Sequence, residues 1–154
     1  MTAGPGELTL HLDRVIPASR PLVFDACTEP AELAKWWGPY GFTAPGVDLD
    51  VRVSGRYRIS MQPPDGDLFH LSGEFREVDR PACLVYTFRW EDPDPEDRET
   101  LVTVSLRDSG DSTEFDLVQA GFATERRRAL HEAGWTDSLD RLEQLMASGA
   151  SSGG

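Results

Sequence analysis

The feature that most limits what this chain can fold into is an amphipathic helical pattern near its C-terminus, over residues 124–147. At 100° per residue, Trp135, Leu139, Leu142 and Met146 fall within an arc of about 60°. So narrow a stripe needs one apolar surface to lie on, while Asp137, Asp140, Arg141, Glu143 and Gln144 form a side at home in water. The stripe ends at Trp135, because the positions before it on the same line are His131 and Arg128. Gly134 costs about 1 kcal/mol inside a helix. The pattern therefore predicts a short first segment, 124–132, a bend near Gly134 and a main segment after it. His131 stands either in solvent at that joint or as a polar group at the mouth of whatever the helix covers.

The rest of the chain supplies the receiving surface. Leu8, Leu10 and Leu12 alternate with Thr9, His11 and Asp13, a half-buried strand with His11 turned outward. Ser19-Arg20-Pro21 opens a helix whose apolar side is Leu22, Val23, Ala26 and Cys27. A second short helix over 31–37 carries Leu33, Trp36 and Trp37 until Gly38-Pro39 stops it, and a connection over 40–46 carries Phe42. Alternation at period two then dominates: Val47, Leu49, Val51 and Val53; Tyr57, Ile59 and Met61; Phe69, Leu71, Gly73 and Phe75; Leu84, Tyr86, Phe88 and Trp90; Val102, Val104 and Leu106; Phe115 and Leu117. No crossover helix separates these strands, so the sheet is antiparallel, of six or seven strands, with one apolar face. The last helix must cover that face. The fold class is α+β in two layers, a single domain over 8–147 between a flexible N-terminus, 1–7, and a disordered tail, 148–154.

Charge and cysteine usage exclude several functions. The formal net charge of −12 opposes a nucleic-acid partner, and the Arg126-Arg127-Arg128 run spreads around a helix as a solvated face. No apolar run approaches the roughly 20 residues of a membrane span, and the first residues do not resemble a signal peptide. A cytoplasmic location is expected, with Cys27 and Cys83 as free thiols in the core. Histidines at 11, 70 and 131 match no metal-ligand spacing, so neither metal nor cofactor is expected. The acid-rich stretch 91–99 reads as a solvent loop without calcium-ligand spacing.

A strongly twisted antiparallel sheet curls, and a straight helix laid across it touches the rim more readily than the floor. The inward residues around the resulting gap are Tyr57, Ile59, Met61, Phe69, Leu71, Tyr86, Phe88, Trp90, Val102, Val104, Phe115 and Leu117, with Trp36, Trp37 and Phe42 closing one end. His131, Trp135 and Leu139 face it from the helix. This composition suits a small-molecule pocket or, equally, a core filled by its own aromatics.

Four motifs resemble a known family: Val23-Phe24-Asp25-Ala26, Trp36-Trp37-Gly38-Pro39, Val53-Ser54-Gly55-Arg56-Tyr57, and His131-Glu132-Ala133-Gly134-Trp135 followed by Leu139 and Leu142. In this order they resemble the bacterial stand-alone members of the START-like (SRPBCC) superfamily, in the branch named after activators of the ninety-kilodalton heat-shock chaperone's ATPase. The resemblance covers about residues 8–147. It implies the helix-grip fold, a curved sheet wrapped round a long C-terminal helix with a cavity between. The sequence departs from that branch at Ser54, where a second glycine is usual. In eukaryotic chaperone activators the domain accompanies a separate chaperone-binding domain, for which 154 residues leave no room, so co-chaperone activity is discounted. Superfamily relatives bind lipids, polyketides or hormones, or act as cyclases, so fold alone does not fix a reaction. The inward faces offer Tyr57, Tyr86 and His131 but no carboxylate and no nucleophile motif, which argues against an enzyme. The expectation is a binding protein for an apolar or aromatic small molecule or lipid, monomeric or homodimeric. A polyketide cyclase- or hydrolase-like enzyme and a protein-interaction module are the alternatives.

Overall fold

A computed structural model of the chain describes residues 8–152, with side chains through residue 148. Seven strands form one antiparallel sheet: β1 (Leu8–Ile16), β2 (Thr43–Leu49), β3 (Arg56–Gln62), β4 (Phe69–Asp79), β5 (Cys83–Trp90), β6 (Thr100–Ser109) and β7 (Ser112–Phe122). Two short helices, α1 (Arg20–Thr28) and α2 (Pro30–Leu33), lie between β1 and β2, and α3 (Glu125–Ser152) ends the chain. The sheet order is β1-β7-β6-β5-β4-β3-β2. β2 to β7 are therefore a meander of hairpins, and the first strand returns to pair with the last, Leu12 opposite Leu117.

Alternation sets which side chains reach the core. Tyr57, Ile59, Leu71, Phe75, Leu84, Tyr86, Phe88, Val102, Val104, Phe115 and Leu117 are all buried, from three hairpins whose registers bring the same parity to the same face. Gly73 allows the sheet to bend: a Cβ there would sit 2.0 Å from the Thr87 carbonyl oxygen and 2.6 Å from the Tyr57 ring. Tyr57 covers the space above that glycine and donates its hydroxyl to the Thr87 carbonyl at 2.6 Å. A register shift between Phe75 and Glu77 follows on the same strand, curving the sheet further.

Helix α3 settles on β1 and β7 at one edge of the sheet, and α1 and α2 cover β6, β7 and β2. The half of the sheet made by β3, β4 and β5 receives little cover from α3, and this is where the site opens. Leu139 and Leu142 have no exposed surface and Trp135 is nearly buried, so the stripe read from the sequence is the seam.

Several expectations change. The helix has no break at Gly134; α3 is continuous from Glu125 and extends through Ser152, past residue 147. The modest cost of one glycine is outweighed by tertiary contacts on both sides of it, and its bare Cα faces the Pro39 ring, which a Cβ would approach to 3.8 Å. Residues 148–152, expected in a disordered tail, thus have helical backbone, while residues 1–7 and 153–154 lie outside the described residues. The side of α3 expected in water is largely engaged. Arg141 donates from Nη1 to the carbonyls of Trp37, Gly38 and Pro39 at 3.1, 2.9 and 3.3 Å, and Asp140 pairs with Arg14 of β1 at 2.6 Å.

The second short helix ends at Leu33, with turn at 34–36. Val51 and Val53 belong to no strand, and Val53 is 59% exposed, because β2 runs earlier, from Thr43. The chain after Leu49 turns through Ser54 at φ +70°, whose N–H donates to the Phe75 carbonyl at 2.8 Å. The serine thus adopts the left-handed conformation, at about 1–2 kcal/mol, where a glycine would have done so freely.

The candidate functional site

The open half of the sheet bounds a cleft of about 690 Å³. Its floor is the outer end of the meander: Met61 from β3, Phe69 from β4, and Phe88 and Trp90 from β5. One wall is the first half of α3, from Arg127 to Ser138; a second is the turn from Trp37 to Phe42; the rim is closed by Asp92, Asp94 and Asp97. The volume lies within the roughly 300–1,000 Å³ usual for small-molecule sites, and the lining is mostly aromatic.

The aromatic lining is fixed by edge-to-face packing. Phe42 meets Phe69 at 6.2 Å, Phe88 meets Trp90 at 5.1 Å, and Trp37 meets Trp135 at 5.1 Å, each pair near perpendicular. The turn carrying Trp37 is latched to α3 by the Arg141 bonds and by Gly38 N–H donating to Ser138 Oγ at 2.9 Å. Behind the wall runs a chain of buried polar groups: Trp135 Nε1 donates to Gln119 Oε1 and Gln119 Nε2 to Thr100 Oγ1, both at 2.8 Å. Gln119 has no exposed surface, so this pairing is what allows a polar residue on the apolar face.

His131 is not in solvent. It is 9% exposed, with its ring 5.0 Å from Phe122, 5.3 Å from Phe88 and 5.6 Å from Trp90. Trp90 Nε1 donates to His131 Nε2 at 3.2 Å, which assigns Nε2 as acceptor and places the imidazole proton on Nδ1. Burial pushes the His131 pKa down to about 4, with the Arg127 charge adding to the effect and Asp97 opposing it. The ring is neutral at pH 7.

The 91–99 loop and the arginine run also differ from expectation. Arg127 Nε pairs with Asp97 at 2.6 Å, with side chains 12% and 7% exposed, and Arg126 pairs with Glu96 at 3.2 Å. Arg128 bonds Glu125 and Glu132 on its own helix. The acid loop is thus docked on the start of α3, where it becomes the cleft's rim.

The residues expected around a single gap divide into three groups. Trp37, Phe42, Met61, Phe69, Phe88, Trp90, His131 and Trp135 line the cleft. Trp36, Tyr57, Ile59, Tyr86, Val104 and Phe115 instead surround, with Trp37 and Trp135, a void of about 20 Å³, close to the space of one water. Leu71, Val102, Leu117 and Leu139 have no exposed surface and touch neither space. Toward α1 the space between sheet and helices is therefore filled core. Burial raises both tyrosine phenols well above their ordinary value and pushes the Cys27 thiol up to about 12, so none of these supplies an acid or a thiolate near neutral pH. The rim carboxylates, Arg127, Leu130, Ala133 and Ser138 escaped the sequence reading because strand alternation cannot place loops and helix ends; only the acid count of 91–99 marked that stretch.

On the outer face of the sheet, His11, Asp13 and Asp116 gather within 4.8 Å, and His11 Nε2 bonds Asp116 Oδ1 at 2.6 Å. No sequence spacing revealed this, because the strands β1 and β7 that carry it are the two ends of the sheet's chain order. Hydrogen bonding to Asp116 raises the His11 pKa, and the pair satisfies itself at the surface. Among the described residues no helix is long and apolar enough to cross a membrane.

A curved seven-stranded sheet, a long C-terminal helix gripped at one edge and an aromatic cleft where the grip opens define a helix-grip protein of the START-like type. The chain belongs to the family described as Activator of Hsp90 ATPase homolog 1-like protein, whose model matches residues 17–147. Protein CV1439 from Chromobacterium violaceum is similar in structure, with a TM-score of 0.83 and 28% identity over 90% of this chain and 96% of that one. Protein NE0264 from Nitrosomonas europaea has a TM-score of 0.78 and 28% identity over 94% and 97% of the two chains. The AHSA1 (SPO3351) protein from Silicibacter pomeroyi has a TM-score of 0.79 and 26% identity over 91% and 98%. No curated protein matches the chain.

Proposed function

We propose that this protein binds an apolar or aromatic small molecule in the cleft between the first half of α3 and the ends of β3, β4 and β5. The observation that carries this reading is the cleft itself: about 690 Å³ of space lined by Trp37, Phe42, Met61, Phe69, Phe88, Trp90 and Trp135. A protein filling its own core leaves voids of the size found beside Tyr86, not one over thirty times larger. The walls are preformed, since the turn and the loop that complete them are each bonded to α3. A catalytic reading gains little from His131, whose Nε2 accepts from Trp90 and whose ring has no labile charge near neutral pH. The family's name supplies no chaperone contact on this chain.

Ala133 provides the test. It lines the cleft from an exposed position of α3, so Ala133→Trp fills the mouth without entering the core. The parent is expected to take up Nile red saturably, and Ala133→Trp to weaken that uptake at least tenfold with an unchanged unfolding temperature. Equal affinity in both proteins would show that the dye sits elsewhere and remove the cleft from this role.

A further inference from the structure

The donors and acceptors around the cleft are unequally available, and so are the charges. On the wall, Trp90 Nε1 is spent on His131, Trp135 Nε1 on Gln119, Ser138 Oγ on Gly134, and Arg127 Nε on Asp97. Nε1 of Trp37, a residue 6% exposed, has no protein acceptor among the described residues. Acceptors are in surplus. Asp92, Asp94, Asp97 and Asp137 line the cleft with one guanidinium, Arg127, which is already neutralised by Asp97 at 2.6 Å, while Arg126, shared with Glu96, reaches Asp94 only at 3.6 Å. Asp94 and Asp137 each bond backbone N–H groups, of Glu96 at 2.9 Å and Tyr40 at 3.2 Å, which holds both carboxylates in place. The aromatic faces below them carry negative quadrupole potential and attract cations.

We propose that the cleft selects its ligand by charge, taking a flat apolar body that carries a protonated amine and refusing the same body with a carboxylate or phosphate. The amine sits at the acid-lined mouth, in the summed field of Asp92, Asp94 and Asp137 and not bonded to all three, and the apolar body lies on Phe88, Trp90 and Trp37. A carboxylate entering the same way meets Asp92 and Asp137, which form no ion pair among the described residues, and Asp94, which has only Arg126 at 3.6 Å, and would have to displace Asp97 from Arg127 to gain a close cationic partner. Fatty acids and acyl phosphates are thereby excluded, and amine-bearing aromatic metabolites are the class that fits. This inference rests on the cleft being the ligand site.

Three probes of one shape test it: 2-naphthylmethylamine, 2-naphthylmethanol and 2-naphthoate, each titrated by calorimetry into the intact chain. The amine is expected to bind at least tenfold more tightly than the carboxylate, with the alcohol between, and the ratio to shrink as salt is raised. The near-isosteric triple variant Asp92→Asn, Asp94→Asn, Asp137→Asn is expected to bring amine and carboxylate within about threefold. A control losing three exposed charges away from the cleft, Glu77→Gln, Asp79→Asn, Asp111→Asn, keeps the preference, which separates the rim from the overall net charge of −12. Binding of the alcohol without an amine preference, or a preference that survives the rim variant, overturns charge selection while leaving the cleft a ligand site. If none of the three binds saturably, the cleft loses its role and charge selection with it.

Discussion

The buried imidazole of His131 makes stability depend on pH in a way that can be calculated. Unfolded, the ring titrates at its ordinary 6.5; folded among Phe88, Trp90 and Phe122 it titrates near 4. Between these values the unfolded chain binds the extra proton, so folding stability falls as pH falls. Above pH 6.5 the neutral ring costs nothing. The loss is about 2 kcal/mol at pH 5 and approaches about 3 kcal/mol near pH 4. His131→Phe removes the titration but orphans the Trp90 indole N–H, a cost of about 1–3 kcal/mol at every pH. The variant should therefore be less stable than the parent at pH 7.5, and that deficit should shrink by about 2.5 kcal/mol by pH 4.5. Urea midpoints of both proteins at pH 7.5, 6, 5 and 4.5 measure this directly. Paired carboxylates such as Glu91 and Glu96 also weaken folding in acid, but they do so in both proteins and cancel in the comparison. A constant difference between the two across the series would refute the buried neutral ring.

Two further substitutions probe the frame around the cleft. Trp135→Ala removes a 6% exposed indole, its contact with Trp37 and its bond to Gln119, and is expected to cost about 3–5 kcal/mol in chemical denaturation; a cost below about 1 kcal/mol would mean that the seam does not bury this side chain. Gly73→Ala places a Cβ against the Thr87 carbonyl and the Tyr57 ring, with no flexible chain to give way, so it should cost more than about 3 kcal/mol or prevent folding, as judged by circular dichroism and thermal melts.

The sheet was legible because alternation is a local signal that burial on one face enforces over many residues: Tyr57, Ile59 and Met61 announce their parity without reference to their partners. Val51 and Val53 show the limit. They alternate like a strand, yet the turn at Ser54 and Gly55 uses those positions, and nothing local separates a short strand from an apolar approach to a turn. The helix was legible where it was apolar and misread where it was polar. His131 continues the stripe of Trp135 and Leu139, but its acceptance there depends on Trp90, 41 positions earlier, and no window along the chain contains both. The cleft was half visible for the same reason: its aromatic floor comes from strands, whereas the rim depends on Asp97 meeting Arg127 and on Arg141 meeting the turn after Trp37.

Arg141 has a bearing on when the cleft comes into being. Its guanidinium fastens carbonyls that lie up to 106 residues earlier in the chain, from Lys35 to Pro39. Contacts this distant in sequence close large loops and form late. During synthesis the Trp37 turn must therefore wait without its clasp until the final helix has emerged, its tryptophans held by the neighbouring short helices and the sheet residues around Tyr57 and Tyr86. A nascent chain stalled before Arg141 would carry every strand of the sheet and no finished cleft.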